Sequence, residues 1–337
     1  MKDQAQVNKD LLIALQRGIP LVRRPWDAMA GPLGMTGADI LNGGRDLFAR
    51  GVARRFGAVF DSASLGYAST LCAVDVPGAE LERVAALLHP LPGVTHCYER
   101  QGNPNLWFTM TAAADELEHE LVRLGVVLQP FKVLNLPALR RFKVEVVLDA
   151  AAGDVVAVKG GTVRSKHGSP QKFSEREKSI VRKLQGNIEL SEEPLTAIAG
   201  ELNWDVGALL GKLAEWKQAG ILRRIAFILR HRQAGFVANG MCVWPVAGDD
   251  VPRAGGILAG FPEVTHCYER PSSPSIPFNL YAMIHARERA AAEDTFKRMS
   301  DRAGLTGGRM LISVREFKKT SPVFFLEETK QRGSAQA

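Results

Sequence analysis

Val94-Thr-His-Cys-Tyr-Glu-Arg100 recurs letter for letter as Val264-Thr-His-Cys-Tyr-Glu-Arg270. The repetition extends outward from the heptad. Gly51-Val-Ala-Arg-Arg-Phe56 answers Gly220-Ile-Leu-Arg-Arg-Ile225, and Leu65-Gly66-Tyr67 answers Ala234-Gly235-Phe236. Asn105-Leu-Trp-Phe-Thr-Met110 answers Asn279-Leu-Tyr-Ala-Met-Ile284, with a longer Pro/Ser loop before it in the second copy. A period this long means two copies of a whole domain pair rather than a solenoid. The 337 residues suffice for several domains with cores of their own.

Each copy starts with a helical period and then changes to strands. In the second copy Ser174-Glu-Arg-Glu177 has the capping-box pattern, with Ile180, Val181 and Leu184 on one face behind it. Pro194 suits the first turn of a second helix, and Val206, Leu209, Leu213 and Trp216 stripe a third that stops at Gly220. This is a helix-turn-helix unit. The first copy repeats it near 6–16, 25–33 and 37–50, less cleanly because Gly43-Gly44 interrupts the third helix. The strand-rich parts read strand, helix, hairpin, helix, strand. They fall at 68–75, 77–90, 94–100 with 105–111, 112–124 and 126–133, and again between 237 and 317. The order β-α-β-β-α-β is the ferredoxin-like split fold. The expected class is therefore α+β, a tandem duplication of a winged-helix-like helix-turn-helix domain plus a ferredoxin-like domain. The expected boundaries are 1–60 and 61–149 for the first copy, a Gly/Ser-rich linker at 150–173, 174–230 and 231–326 for the second, and a polar tail at 327–337.

Alternation along the heptad puts Val94, His96, Tyr98 and Arg100 on one strand face and Thr95, Cys97 and Glu99 on the other, with His266, Tyr268 and Arg270 as the second set. An imidazole can deliver a proton near neutral pH, a guanidinium can clamp a carboxylate, and a phenol can orient it. The competing reading makes His and Tyr satisfied members of a sheet–sheet interface with Arg in solvent. Arg54-Arg55 and Arg223-Arg224, at the junction of helical and strand-rich parts, read either as a solvated basic wing or as an anion site. Trp107, Trp244 and Phe278 read as core or interface residues, with Trp107 kept among the substrate-binding candidates. His231 is a further candidate, specific to one half because Asp61-Ser62 stands in its place in the other. His285 and His167 are expected at the surface.

Bulk properties narrow the partner. A net charge of +7 favours an anionic partner: nucleic acid, an anionic membrane or a polyanionic small molecule. With 46% apolar and 23% charged residues the chain reads as a soluble globular protein, and no apolar run approaches the ~20 residues of a membrane span. The polar N-terminus is no secretory signal, so a cytoplasmic location is expected. Cys72, Cys97, Cys242 and Cys267 lie in apolar strand-like runs rather than CxxC motifs, which makes them packing residues and not metal ligands. The third helix of the second copy, Asp205 to Ala219, carries two lysines, one Asp, one Glu and no arginine, and in the first Arg45 and Arg50 are balanced by Asp39 and Asp46. Such helices neutralise few phosphates, so DNA is a poor partner.

The helix-turn-helix plus ferredoxin-like plan resembles the Lrp/AsnC regulators. The heptad, the Pro-containing loop and Asn-Leu-Trp-Phe-Thr-Met, together with Gly220-Ile-Leu-Arg-Arg224, Leu229-Arg-His-Arg-Gln-Ala-Gly-Phe236 and Asn239-Gly-Met-Cys-Val-Trp244, resemble one enzymatic branch of them, the siroheme decarboxylases. These serve heme d1 synthesis (Nir type, including fused D/L forms) or the alternative heme route (Ahb type). The resemblance implies non-oxidative removal of two acetate carboxyl groups from siroheme, with no cofactor beyond the iron of the substrate itself. It implies His96 and His266 as proton donors, Arg100 and Arg270 as carboxylate clamps, Tyr98 and Tyr268 as orienting groups, and Arg54, Arg55, Arg223 and Arg224 at the periphery. Ligation of the iron by a histidine is the alternative role. A homodimer or sister decarboxylase subunits are the expected protein partners, and unequal halves are expected from the weak third helix of copy one. Two other classes stay open: a duplicated regulator sensing a small molecule, and a non-catalytic tetrapyrrole carrier.

Overall fold

The computed structural model describes residues 4–144, 148–149, 154–155, 172–230 and 238–326. The linker expected at 150–173 lies almost wholly outside these residues, as does the tail from 327; His167 and His231 are also outside them.

The first helical unit comprises α1 (Gln4–Arg17), α2 (Pro25–Leu33) and α3 (Gly37–Ala49), and α3 is opened by a capping box between Thr36 and Asp39. The two glycines suspected of breaking α3 are instead close-packing positions. A Cβ on Gly43 would lie 2.6 Å from Leu11 Cδ2, and one on Gly44 would lie 2.7 Å from Phe227 Cζ. Only a glycine face lets the helix approach α1 and the strand behind it this closely.

The chain then forms β1 (Ala53–Phe60), β2 (Tyr67–Val74), α4 (Leu81–Leu88), β3 (Val94–Arg100), β4 (Leu106–Ala113), α5 (Leu117–Val127), β5 (Leu134–Pro137) and β6 (Arg140–Val144). A short ladder, β7 (Leu148–Asp149) with β8 (Asp154–Val155), follows. The second copy gives α6 (Glu175–Leu184), α7 (Pro194–Glu201), α8 (Val206–Gln218), β9 (Leu222–Leu229), β10 (Ala238–Trp244), α9 (Val251–Ala259), β11 (Val264–Glu269), β12 (Leu280–Ala286), α10 (Arg289–Ala303) and β13 (Arg309–Lys319). The strand expected at 126–133 is a correction. Leu124 and Leu128 keep the helical spacing and bury under the sheet, so α5 runs to Val127 and the strand starts only at Leu134.

Strands β1 and β9 were not anticipated. They pair antiparallel with each other, Phe56 opposite Phe227, and their buried alternation of Phe56, Ala58, Phe60 and Ile225, Phe227, Leu229 joins both helical units into one core. All remaining major strands form one sheet in the order β5-β2-β4-β3-β13-β10-β12-β11-β6. Its two ends, β5 and β6, are separated in the chain only by Ala138-Leu139, so the sheet must curl back on itself. Each copy's last strand serves both halves. β13 pairs with β10 through residues 309–312 and with β3 through residues 313–319, while β5 pairs with β2 and its continuation β6 with β11. Helices α4 and α5 cover one outer face and α9 and α10 the other. The inner faces share a core of Ala73, Trp107 and Leu136 with Met241, Val243 and Tyr281. The two copies are thus a pseudo-dimer within one chain, and their inner faces look at each other.

Candidate active site

Both heptad strands carry a β-bulge. Val94 pairs with Met110 and His96 with the next residue, Thr109; in the second copy Val264 pairs with Ile284 and His266 with Met283. The extra residue resets the alternation. Val94 therefore packs with Cys97 beneath α4, and Val264 with Cys267 beneath α9, instead of sharing the face of the imidazole as simple alternation required. His96, Tyr98, Arg100 and their counterparts keep the inward face. In each half a threonine hydroxyl, Thr95 or Thr265, sits 3.0 Å from the imidazole Nδ1.

The inward residues meet in one cavity of about 580 Å³ between the inner sheet faces and the β1–β9 ribbon. Both sets line it: His96, Tyr98, Arg100 and His266, Tyr268, Arg270. The imidazole and phenol rings stack at 6.3 Å in the first half and 6.1 Å in the second. Arg100 lies 5.4 Å over the Tyr98 ring, and Arg270 lies 4.8 Å over Tyr268 and 5.8 Å over Tyr281. Each guanidinium donates to a carbonyl of the opposite copy, Arg100 to Leu311 O at 3.1 Å and Arg270 to Leu136 O. Each Nε is buried with no hydrogen-bond partner among the described residues.

The charge balance of this cavity is one-sided. Among its lining residues are seven arginines and one lysine against a single carboxylate, Asp61. Burial pushes Arg100 down to about 10, and it lowers Arg270 as well. Burial first, then the cations Lys319, Arg54 and Arg100 together with His266, holds His96 at about 3; burial with Arg270, Arg223 and Lys143 holds His266 at about 4. Both imidazoles are neutral at pH 7 while the cavity lacks an anion. The phenols of Tyr98 and Tyr268 are raised by burial and remain protonated. A cavity holding seven arginines and a lysine against one acid is built to receive a polyanion.

The peripheral arginines divide. Arg54 lines the cavity and donates to Lys319 O at 3.0 Å and Ser321 Oγ at 3.1 Å. Arg55 also reaches the wall but spends its terminal nitrogens on Gln185 O, Gly186 O and Ala58 O, tying the end of α6 to β1. Arg223 pairs with Asp61 at 2.5 Å, and Arg224 lines the cavity beside it. Trp107 stands opposite Tyr98 and donates to Pro104 O at 2.8 Å, so it is a wall of the cavity as well as part of the inner core. Sequence reasoning missed Tyr281, the counterpart of Trp107 opposite Tyr268, along with Arg141, Lys319 and Met283. His285, expected at the surface, lines the cavity. The repeat of Asn105-Leu-Trp107 as Asn279-Leu-Tyr281 carried the signal for Tyr281; Arg141 was hidden by the misplaced end of the first copy, and Lys319 by the pairing of β13 with β3 of the other copy. The four cysteines are buried free thiols, and burial raises Cys72, Cys97 and Cys267 to about 12, well away from reactivity. No group of metal-ligating side chains occurs among the described residues. Each half presents one neutral imidazole to the cavity, which can offer at most a single ligand.

A family model of the AsnC-like ligand binding domain matches residues 64–143 and 233–318, the two ferredoxin-like copies. Over 321 residues the chain is 36% identical to a siroheme decarboxylase of Hydrogenobacter thermophilus, covering 94% of this chain and 95% of the relative. The chain belongs to the siroheme decarboxylases. A crystal structure of the siroheme decarboxylase NirDL in complex with an iron-uroporphyrin III analogue superposes with a TM-score of 0.72 at 32% identity, covering 98% of this chain and all of that one. The siroheme decarboxylase beta subunit of Methanosarcina barkeri is 38% identical over 141 residues, 42% of this chain but 93% of its own length. What is a separate subunit in that relative corresponds to one half here. The duplicated Lrp/AsnC-like architecture read from the heptads is thus the architecture of this decarboxylase family. Among the described residues no helix is long and apolar enough to cross a membrane.

Proposed function

We propose that this chain is a carboxy-lyase that removes the carboxyl groups of two acetate side chains of siroheme without an oxidant, giving didecarboxysiroheme for heme d1 or alternative heme synthesis. The observation that carries the reading is the cavity itself, in which two identical His-Tyr-Arg sets share one space with six further cationic residues and one acid. A polycarboxylate tetrapyrrole matches that charge, and the full-length relatives supply the reaction.

In each step the bond between the acetate methylene and its carboxylate breaks. Carbon dioxide leaves, the electron pair passes to the methylene carbon and the conjugated ring, and one proton converts the methylene to methyl. Arg100 and Arg270 hold substrate carboxylates through charge-assisted hydrogen bonds, with Tyr98 and Tyr268 orienting them. Arg54, Arg223 and Arg224 meet carboxylates at the periphery, with Arg55 contributing chiefly by fixing the ribbon. His96 and His266 deliver the proton. Their low pKa values belong to the cavity without an anion; carboxylates brought beside them favour the imidazolium. The second reading of the histidines, ligation of the substrate iron, is favoured by the same neutrality and predicts no proton uptake on binding. Trp107 and Tyr281 supply flat walls for the macrocycle. A cytoplasmic enzyme, acting alone, as a homodimer or with sister subunits, completes this reading.

Anaerobic incubation of the purified chain with siroheme, followed by Soret spectrum and product mass, tests it. Loss of two carbon dioxide equivalents is expected. A Soret shift with unchanged mass would leave only a carrier, and no spectral response would refute both. The helices α3 and α8 argue against the regulator reading: Lys212 on α8 is paired to Glu177 and Glu215 and Arg50 beyond α3 to Asp46, leaving little charge for phosphates.

A further inference from the structure

The two halves share identical His-Tyr-Arg sets, but the walls around them differ, with Trp107, Thr109 and Thr111 on β4 answered by Tyr281, Met283 and His285 on β12; the crossing strands add a difference of charge. On the outer side Arg315 pairs with Glu99 at 3.1 Å as Arg140 pairs with Glu269 at 3.4 Å. Lys318 donates to Leu91 O at 2.7 Å as Lys143 donates to Phe261 O at 2.8 Å. The inner positions of the same strands differ. Glu316 stands opposite Tyr98 where Arg141 stands opposite Tyr268, and Lys319 stands opposite His96 where Val144 stands opposite His266. At one register the charge is inverted; at the next a cation is replaced by an aliphatic side chain.

Resting on the decarboxylase reading, we propose that these inner positions fix a single orientation of the substrate across the pseudo-twofold cavity, with Arg141 binding a substrate carboxylate in the second half and Glu316 excluding one from the matching point in the first. Arg141 lines the cavity, is exposed to it, and has no carboxylate within ion-pair distance among the described residues. Its guanidinium faces Tyr268 and Arg270, so a carboxylate held by Arg270 lies within reach of a second cation. Glu316 is not itself among the lining residues, but it stands opposite Tyr98 and its charge acts on both Tyr98 and Arg54, which do line the cavity. A carboxylate brought to Tyr98 meets a like charge across the strand pair. Without this inversion a substrate could lie in either of two poses related by the pseudo-symmetry, and each histidine would meet both acetates. With it, each histidine meets a defined one.

The test uses the full chain and siroheme under anaerobic conditions, reading the dissociation constant from the Soret band and separating monodecarboxylated isomers by liquid chromatography after a single turnover. Arg141→Gln is expected to weaken siroheme binding at least tenfold, with Arg141→Lys recovering part of the loss, while Glu316→Gln tightens it severalfold by removing a negative charge facing a polyanion. The native chain is expected to give one monodecarboxylated isomer. Glu316→Arg, which makes the two halves alike at this register, is expected to give two. Native affinity in Arg141→Gln, weakened binding in both single-charge variants, or two equal isomers from the native chain would each overturn the proposal while leaving decarboxylation intact. A native chain that neither shifts the Soret band nor changes product mass would instead overturn the reading on which it rests.

Discussion

Replacing Arg100 by methionine separates a binding cation from a structural one. Arg100 is only 5% exposed, and burial takes its pKa from 12.5 to about 10. At about 1.4 kcal/mol per unit that shift corresponds to roughly 3 kcal/mol of cost for burying the charged guanidinium in the cavity wall. Offsetting it are one charge-assisted hydrogen bond to Leu311 O, about 1.5–3 kcal/mol, and a contact over the Tyr98 ring of about 0.5–1 kcal/mol. These terms nearly cancel, and methionine fills most of the vacated volume. Arg100→Met should therefore change unfolding free energy by no more than about 1 kcal/mol, read by urea denaturation of the substrate-free chain. Binding should respond quite differently. Loss of a desolvated carboxylate clamp costs about 2–5 kcal/mol, which at about 1.4 kcal/mol per decade is roughly 30-fold to several thousandfold in siroheme affinity. Destabilisation beyond about 3 kcal/mol with affinity retained would refute the reasoning, because Arg100 would then be part of the scaffold.

Three further expectations follow from the same geometry. If the histidines are proton donors, siroheme binding at pH 6–7 should take up protons, read by calorimetry in buffers of different ionisation enthalpy; absence of uptake in the native chain would favour iron ligation. Without substrate, stability should fall as pH drops below 6.5, because the unfolded chain binds protons at His96 and His266 from there downward whereas the folded chain does so only near 3 and 4; the loss is up to about 1.4 kcal/mol per pH unit per histidine, and His96→Gln should flatten the profile. Gly44→Val should destabilise by about 1–3 kcal/mol through collision with Phe227, whereas Gly211→Ala in α8, where a Cβ meets nothing within 4 Å, should stabilise by about 0.5–1 kcal/mol, both read from thermal melts.

Much of this architecture was legible because its decisive signals are local. The heptads announced the duplication, Ser174 and Glu177 the capping box of α6, and the order of periods the ferredoxin-like copies. The inward placement of His, Tyr and Arg was also readable from period two, although the bulge at Thr95 moved Val94 to the other face, because a bulge depends on the partner strand. What the sequence hid is non-local. The β1–β9 ribbon depends on two segments far apart in the chain finding each other, and the strand crossing that brings Arg141 opposite Tyr268 is visible only as register. The role of Gly43 and Gly44 was misread for the same reason, since their value lies in what packs against them. Arg55 was grouped with its neighbour by spacing, yet its donors close the end of α6.

In the proposed reaction each lost carboxyl group is replaced by one proton inside this cavity, with no oxidant involved. Anaerobic turnover of siroheme in deuterated water, read by the mass of the product, tests it most directly. Loss of two carbon dioxide equivalents and gain of one solvent-derived deuteron at each new methyl group are expected. Unchanged mass, or carbon dioxide loss that requires an added oxidant, would contradict it.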